Sequence, residues 1–117
     1  MSDLSSIEWL ERLGERVNMD PEFRDAARWF QGTVGWQVDD REFSLKIDNG
    51  QVQSVEPGSK GAQFSLVGRQ ESWEELMALG TINRLFRQKK IKILGDKVAA
   101  MRYWKILWYL TEIGRKM

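Results

Sequence analysis

Two hydrophobic periods alternate along the chain. Leu10, Leu13 and Val17 recur at three- and four-residue spacing with Trp9 beside them, which places apolar side chains on one helical face. Ser5 and Glu8 stand at capping-box spacing, so the pattern predicts a first helix over about 6–17, with Gly14 its poorest helix former. Asp20-Pro21 predicts a second start, an N-cap acceptor followed by Pro where its missing N–H costs nothing. Phe23, Ala26, Ala27 and Phe30 give that helix its apolar face, and Gly32 ends it.

From Thr33 the period is two. Val34, Trp36 and Val38 alternate with polar or small neighbours, and so do Phe43, Leu45 and Ile47. Asp39-Asp40 separates these strands. Asn49-Gly50, both tolerant of positive φ, predicts a tight hairpin into Val52–Val55. After a loop from Pro57 to Gly61, Phe64 and Leu66 mark a fourth strand, so 33–68 reads as an antiparallel meander.

Helical signals then return. Ser72 to Glu75 is a second capping box whose helix stops at Gly80, and Thr81 caps another short helix through Leu85 and Phe86, together spanning 71–88. A fifth strand is predicted at 91–94. Gly95-Asp96 then opens a long closing helix over 96–114. With N-terminal helices over 1–32 and no repeats or linkers, residues 1–117 read as a single α+β domain with a five-stranded antiparallel sheet.

Composition narrows the chemistry. The chain has no Cys and no His, which removes disulfides, thiolate nucleophiles, Cys/His zinc sites and imidazole bases. The expectation is a non-enzymatic domain with no catalytic residues, no metal and no cofactor. The N-terminus lacks a basic segment followed by an apolar one, and the longest apolar run in the closing helix, Ile106 to Leu110, is far below the roughly twenty residues of a membrane span. A cytoplasmic location is expected.

Charge is polarised: residues 84–116 carry ten Lys/Arg against two acids, whereas 1–83 carry eight against fifteen. Arg84, Arg87, Lys89, Lys90 and Lys92, with Lys97, Arg102 and Lys105 beyond, form the basic cluster. These are either solvated positions paired with the acidic N-terminal part, or contacts for an anionic lipid surface or a ligand's acid group. Nucleic acid is the weakest of the options, because the interleaved aromatics follow core periodicity and no RNA-binding signature is present.

Six tryptophans are the remaining anomaly. Trp29 and Trp36 read as core. Trp104 and Trp108 lie one turn apart on a closing helix that also presents Val98, Ala99, Met101, Ile106, Leu107 and Leu110, an arc wider than the stripe of about 100° that rests on one sheet. A ligand, a partner subunit or the N-terminal helices must cover the excess. Met77 and Met101 suit either an adaptable pocket wall or ordinary core.

Three segments resemble the sterol carrier protein family of nonspecific lipid-transfer domains: SLKIDNGQVQSVEPG, QFSLVGRQESWEELMALGTIN and LFRQKKIKILGDKVAAMRYWKIL, together spanning about 33–110. The resemblance implies a curved sheet packed by helices around a hydrophobic tunnel for fatty acyl chains, sterols or other lipids. It implies a lining of Phe64, Leu66, Trp73, Leu76, Met77, Leu79, Ile82, Phe86, Ile93, Met101, Trp104 and Trp108, with Ile91 and Leu107 nearby. Two features depart from the family. The closing helix is far more aromatic than usual, and Lys89-Lys90 stands where a Gly often precedes the fifth strand.

The leading expectation is therefore binding, and intracellular transfer, of an apolar small molecule, with transient membrane contact. The alternative is a non-catalytic accessory or dimerisation domain whose tunnel is filled by its own aromatics and whose partner is a second copy or another protein.

Overall fold

The computed structural model describes residues 6–78 and 81–117. Helices α1 (Ile7–Asn18) and α2 (Pro21–Ala27) precede strands β1 (Gly32–Val38), β2 (Arg41–Asp48), β3 (Gln51–Pro57) and β4 (Phe64–Gly68). Helices α3 (Gln70–Ala78) and α4 (Ile82–Arg87), strand β5 (Ile91–Gly95), and helices α5 (Lys97–Arg102) and α6 (Trp104–Arg115) complete the α+β chain.

The local signals act as the side chains dictate. Asp20 accepts from the backbone N–H groups of Glu22 and Phe23 at 2.8 and 3.2 Å, fixing the start of α2 ahead of Pro21. Asn49 and Gly50 both take positive φ, 53° and 78°, and turn β2 into β3. The cap of α1 is Ser6, whose hydroxyl accepts from Trp9 N–H; the Ser5 of the expected capping box lies outside the described residues, as does the Gly80 stop.

Sheet order is β3-β2-β1-β4-β5, which corrects the expected simple meander. β4 does not extend the row beyond β3; it pairs parallel to β1, with Val34 opposite Phe64 and Trp36 opposite Leu66. Parallel neighbours need a long connection, and here the β2–β3 hairpin with residues 58–63 supplies it. That last stretch leaves β2 through Gly58 N–H on the Glu42 carbonyl and reaches β1 through Gln63 N–H on the Thr33 carbonyl. The sheet is thus antiparallel apart from this one pair.

Directly paired residues share a face. Trp36 faces Phe43 and Leu66, and Leu66 faces Ile93, so one side of the sheet is continuously apolar. Helices α1, α3 and α6 close over it. Gly14 lets α1 approach β3, since a Cβ there would sit 3.2 Å from Val52 Cγ1.

Two further differences concern aromatics. Trp29, expected in the core, is 80% exposed in the turn after α2, with the Arg28 guanidinium 5.0 Å from its ring centroid, while Phe30 takes the inward position. The expected closing helix is two helices broken at Tyr103 (φ −106°, ψ 29°). No Gly or Pro marks the break. Tyr103 stands edge-on to Phe30 at 4.8 Å, and the next side chain, Trp104, serves α4 instead.

Candidate functional site

The centre of the covered face is filled by the protein's own rings. Trp73 stacks on Trp36 at 4.3 Å between centroids and 22° between planes, and Trp9 tilts against Trp36 at 5.9 Å. Trp73 Nε1–H donates to the Gln37 carbonyl at 2.8 Å, satisfying one buried indole. Of the residues expected to line a tunnel, Phe64, Leu66, Trp73, Leu76 and Ile82 are all fully buried in this core. Met77 is half-buried against Gly114 of α6. Trp108 lies exposed on α6 with Tyr109 edge-on at 5.1 Å, and Leu79 is outside the described residues.

The other predicted residues converge elsewhere. Edge strand β5 is overlaid by the short helices α4 and α5, leaving an open groove of about 520 Å³. Phe86, Ile91, Ile93, Leu94 and Met101 form its apolar lining. A contiguous recess of about 570 Å³ shares Phe86, Arg87 and Met101 with it and is completed by Asn83 and Trp104. The Trp104 indole is held by Nε1–H donation to Asn83 Oδ1 at 2.7 Å and lies 5.2 Å from the Phe86 ring. Both dimensions fall in the range of roughly 300–1,000 Å³ usual for small-molecule sites.

Local structure explains this placement. Thr81 caps α4, accepting from Arg84 N–H, and Asp96 caps α5, accepting from Ala99 N–H at 3.0 Å. Gly95, at φ 96°, makes the sharp exit from β5 that brings α5 back beside the strand. Lys89 occupies a left-handed conformation, φ 61°, two residues before β5, the backbone geometry that glycine adopts freely.

The basic cluster serves two neighbouring surfaces. Lys90 and Arg84 reach the Glu75 carboxylate at 2.9 and 3.4 Å, and the Lys90 hydrogen bond, above all, draws the Glu75 pKa below its ordinary value. Glu75 and Lys90 line a polar hollow together with Asp39, Arg69, Glu71, Lys89 and Lys92. Arg87, Lys89, Lys92 and Lys97 rim the apolar groove, which has no carboxylate among its lining residues; Lys89 and Lys92 are shared with the hollow. The groove therefore offers an apolar floor and a cationic rim, a combination suited to an alkyl body with an anionic or polar end.

Sequence reasoning missed Leu94 and Asn83 as groove residues, whereas Lys97 belongs to the basic cluster already singled out. Leu94 ends a strand whose alternation assigns it to the outer face, and only the edge position of β5 gives it to the groove. Asn83 carries no signal of its own, because its role is to hold an indole 21 residues away.

Comparisons with known proteins agree on the architecture. The sequence matches the family described as the SCP-2 sterol transfer family over residues 10–107. A search of curated proteins finds no match. Among solved structures, a crystal structure of sterol carrier protein 2 superposes with a TM-score of 0.86 at 16% identity, covering 98% of this chain and 99% of that one. A solution structure of a conserved hypothetical protein from Thermus thermophilus, described as possibly a sterol carrier protein, gives 0.81 at 16% identity over 97% and 89%. Palmitated SCP2L2 from Aedes aegypti gives 0.64 at 18% identity over 91% and 95%.

Proposed function

The chain belongs to the SCP-2 sterol transfer family, and from that premise we propose that it binds one apolar, lipid-like molecule in the groove between α4, β5 and α5, without catalysing a reaction on it. The observation that carries this reading is the junction of Phe86, Ile93, Met101 and Trp104 around a groove and its adjoining recess, while Trp9, Trp36, Trp73 and Phe64 are packed into core. Burial of an alkyl chain there is favourable by roughly 0.8 kcal/mol for each CH₂ removed from water. An acid or hydroxyl end lies within the cationic rim of Arg87, Lys89, Lys92 and Lys97. The palmitated state of the Aedes aegypti relative supports an acyl chain as one suitable guest.

Catalysis is disfavoured by the same lining. A general acid–base pair needs a titratable acid or base within hydrogen-bond reach of the reacting atom. The groove and its recess supply only apolar side chains, Asn83 and cationic Lys and Arg. No helix among the described residues is long and apolar enough to cross a membrane.

Delipidated protein titrated with a fluorescent fatty acid is expected to take up one equivalent and to change its tryptophan emission. Trp104→Phe should remove most of that change, because Trp104 alone among the six tryptophans lines the recess. Absence of uptake by titration, together with no co-purified lipid in the mass spectrum of denatured protein, would overturn the reading. The stacked Trp36–Trp73 centre favours a second reading, a self-filled accessory domain that dimerises. An empty, concentration-dependent dimer in sedimentation would support that one instead.

A further inference from the structure

Helix α4 turns one face toward the recess beside the groove. Phe86 and Arg87 follow Asn83 by three and four residues, hence on that face, and Met101 and Trp104 complete the recess from α5 and the start of α6. Its polar side chains are of one kind. An indole N–H can only donate, so the Trp104 hydrogen bond takes the Asn83 oxygen and leaves the Asn83 amide N–H groups for another partner. Among the described residues nothing accepts from them, and Arg87 has no carboxylate within ion-pair reach. Met101 adds only a weakly accepting thioether. The recess therefore offers N–H donors and no free side-chain oxygen, beside two aromatic rings 5.2 Å apart and tilted by 60°.

We propose that the recess holds the head of an aryl amphiphile, a flat aromatic ring carrying a carboxylate or carbonyl, whose alkyl tail passes Phe86 and Met101 into the β5 groove. Those two side chains and Arg87 line both hollows, so one elongated guest can occupy the two together. On the lipid-binding reading above, from which this follows, the guest is thereby narrowed to one class. A conjugated ring gains edge or face contact with Phe86 and Trp104 beyond the area it buries, which an alkyl chain does not. Its oxygens meet Arg87 and the Asn83 amide. A hydroxyl head would find no side-chain acceptor there for its own proton.

The rival sites lack part of this combination. The polar hollow beside α3 is lined by Asp39, Glu71 and Glu75, whose charges oppose a carboxylate. Trp29 and Trp108 are exposed rings, yet neither lines the recess or the groove. Trp9, Trp36 and Trp73 are buried in core.

Calorimetric titration of the delipidated full chain with para-octylbenzoate and with its saturated-ring analogue, octylcyclohexanecarboxylate, tests the proposal. The two ligands share charge and tail, so the ratio of their affinities reads the ring alone. The benzoate is expected to bind about fivefold tighter. Asn83→Leu releases the Trp104 indole and should bring the ratio near one, with the thermal midpoint little changed because Asn83 is exposed. Arg87→Gln should weaken both ligands about tenfold and leave the ratio standing, since the guanidinium meets the acceptor and not the ring. A ratio near one in the parent overturns the aryl head. So does a ratio that Asn83→Leu leaves unmoved, or benzoate affinity indifferent to Arg87→Gln. If dodecanoate is still taken up in any of these cases, the groove reading survives the loss. Uptake of none of the three ligands overturns that reading, and the aryl head with it.

Discussion

Trp9, Trp36 and Trp73 at the middle of the sheet, and Phe86, Met101 and Trp104 at its β5 edge, are side chains of the same kind with opposite fates. Over the central strands β1 and β2, helices α1, α3 and α6 press the rings together until each is within 1% of complete burial. Over the edge strand lie only α4 and α5, six residues each, and the rings there line a trough instead of filling it. Aromatic content therefore does not create a binding site in this fold. How many elements cover a given strand decides whether its aromatics become core or wall.

The comparison is broken most forcefully at the centre. Trp36→Ala should destabilise the protein by about 3–5 kcal/mol, read as a lowered denaturant midpoint, because the cavity lies between two other rings that cannot collapse into it. Fatty-acid uptake by the surviving folded fraction should be unchanged if the centre and the edge are separate. At the edge the pattern should reverse. Met101→Glu is expected to weaken fatty-acid binding about tenfold, roughly 1.4 kcal/mol, while shifting stability by less than about 0.5 kcal/mol, since the side chain is half exposed.

A smaller effect sharpens the boundary between the two regions. The Asp39 carboxylate accepts from Gln70 N–H at 3.1 Å and so caps α3 from the β1–β2 turn. Asp39→Ala should cost about 1 kcal/mol in chemical denaturation. The smallest effect is at Glu75. Its pKa is lowered chiefly by the Lys90 hydrogen bond, so the folded state holds fewer protons than the unfolded one just below the ordinary 4.5. The stabilisation is complete above about that pH and is lost as pH falls through the lower folded value. Glu75→Gln should remove this acid limb from a stability-against-pH curve and lower the neutral and alkaline plateau slightly and evenly, leaving the most acidic end unchanged.

What could be read from the residues was what neighbours in sequence decide. The Asn49-Gly50 turn, the Asp20, Thr81 and Asp96 caps, and the alternation of Val34, Trp36 and Val38 all act within a few positions. What could not be read depends on distant partners. The capping-box spacing starts α3 at Ser72, yet the helix begins at Gln70, because its actual acceptor, Asp39, lies 31 residues away. β4 beside β1 required knowing that β1 has a second free edge, and Trp29 faces outward because Phe30 is taken inward by Phe64 and Tyr103. For the site, Phe86, Ile93, Met101 and Trp104 meet, yet Phe64, Leu66, Trp73, Leu76 and Ile82 are drawn into core. Periodicity assigns a side chain to a face and leaves open how tightly that face is roofed.

The interruption at Tyr103 has a mechanical side. Uncoupled from α6, a segment of six residues gains little from helical cooperativity and depends on its Asp96 cap and on what packs beneath it. One wall of the trough is thus a six-residue helix held by its Asp96 cap at one end and by the Tyr103 junction at the other. On the lipid-binding reading proposed above, the girth of an accepted guest is set by how far this short wall gives, a looser limit than one continuous helix would impose.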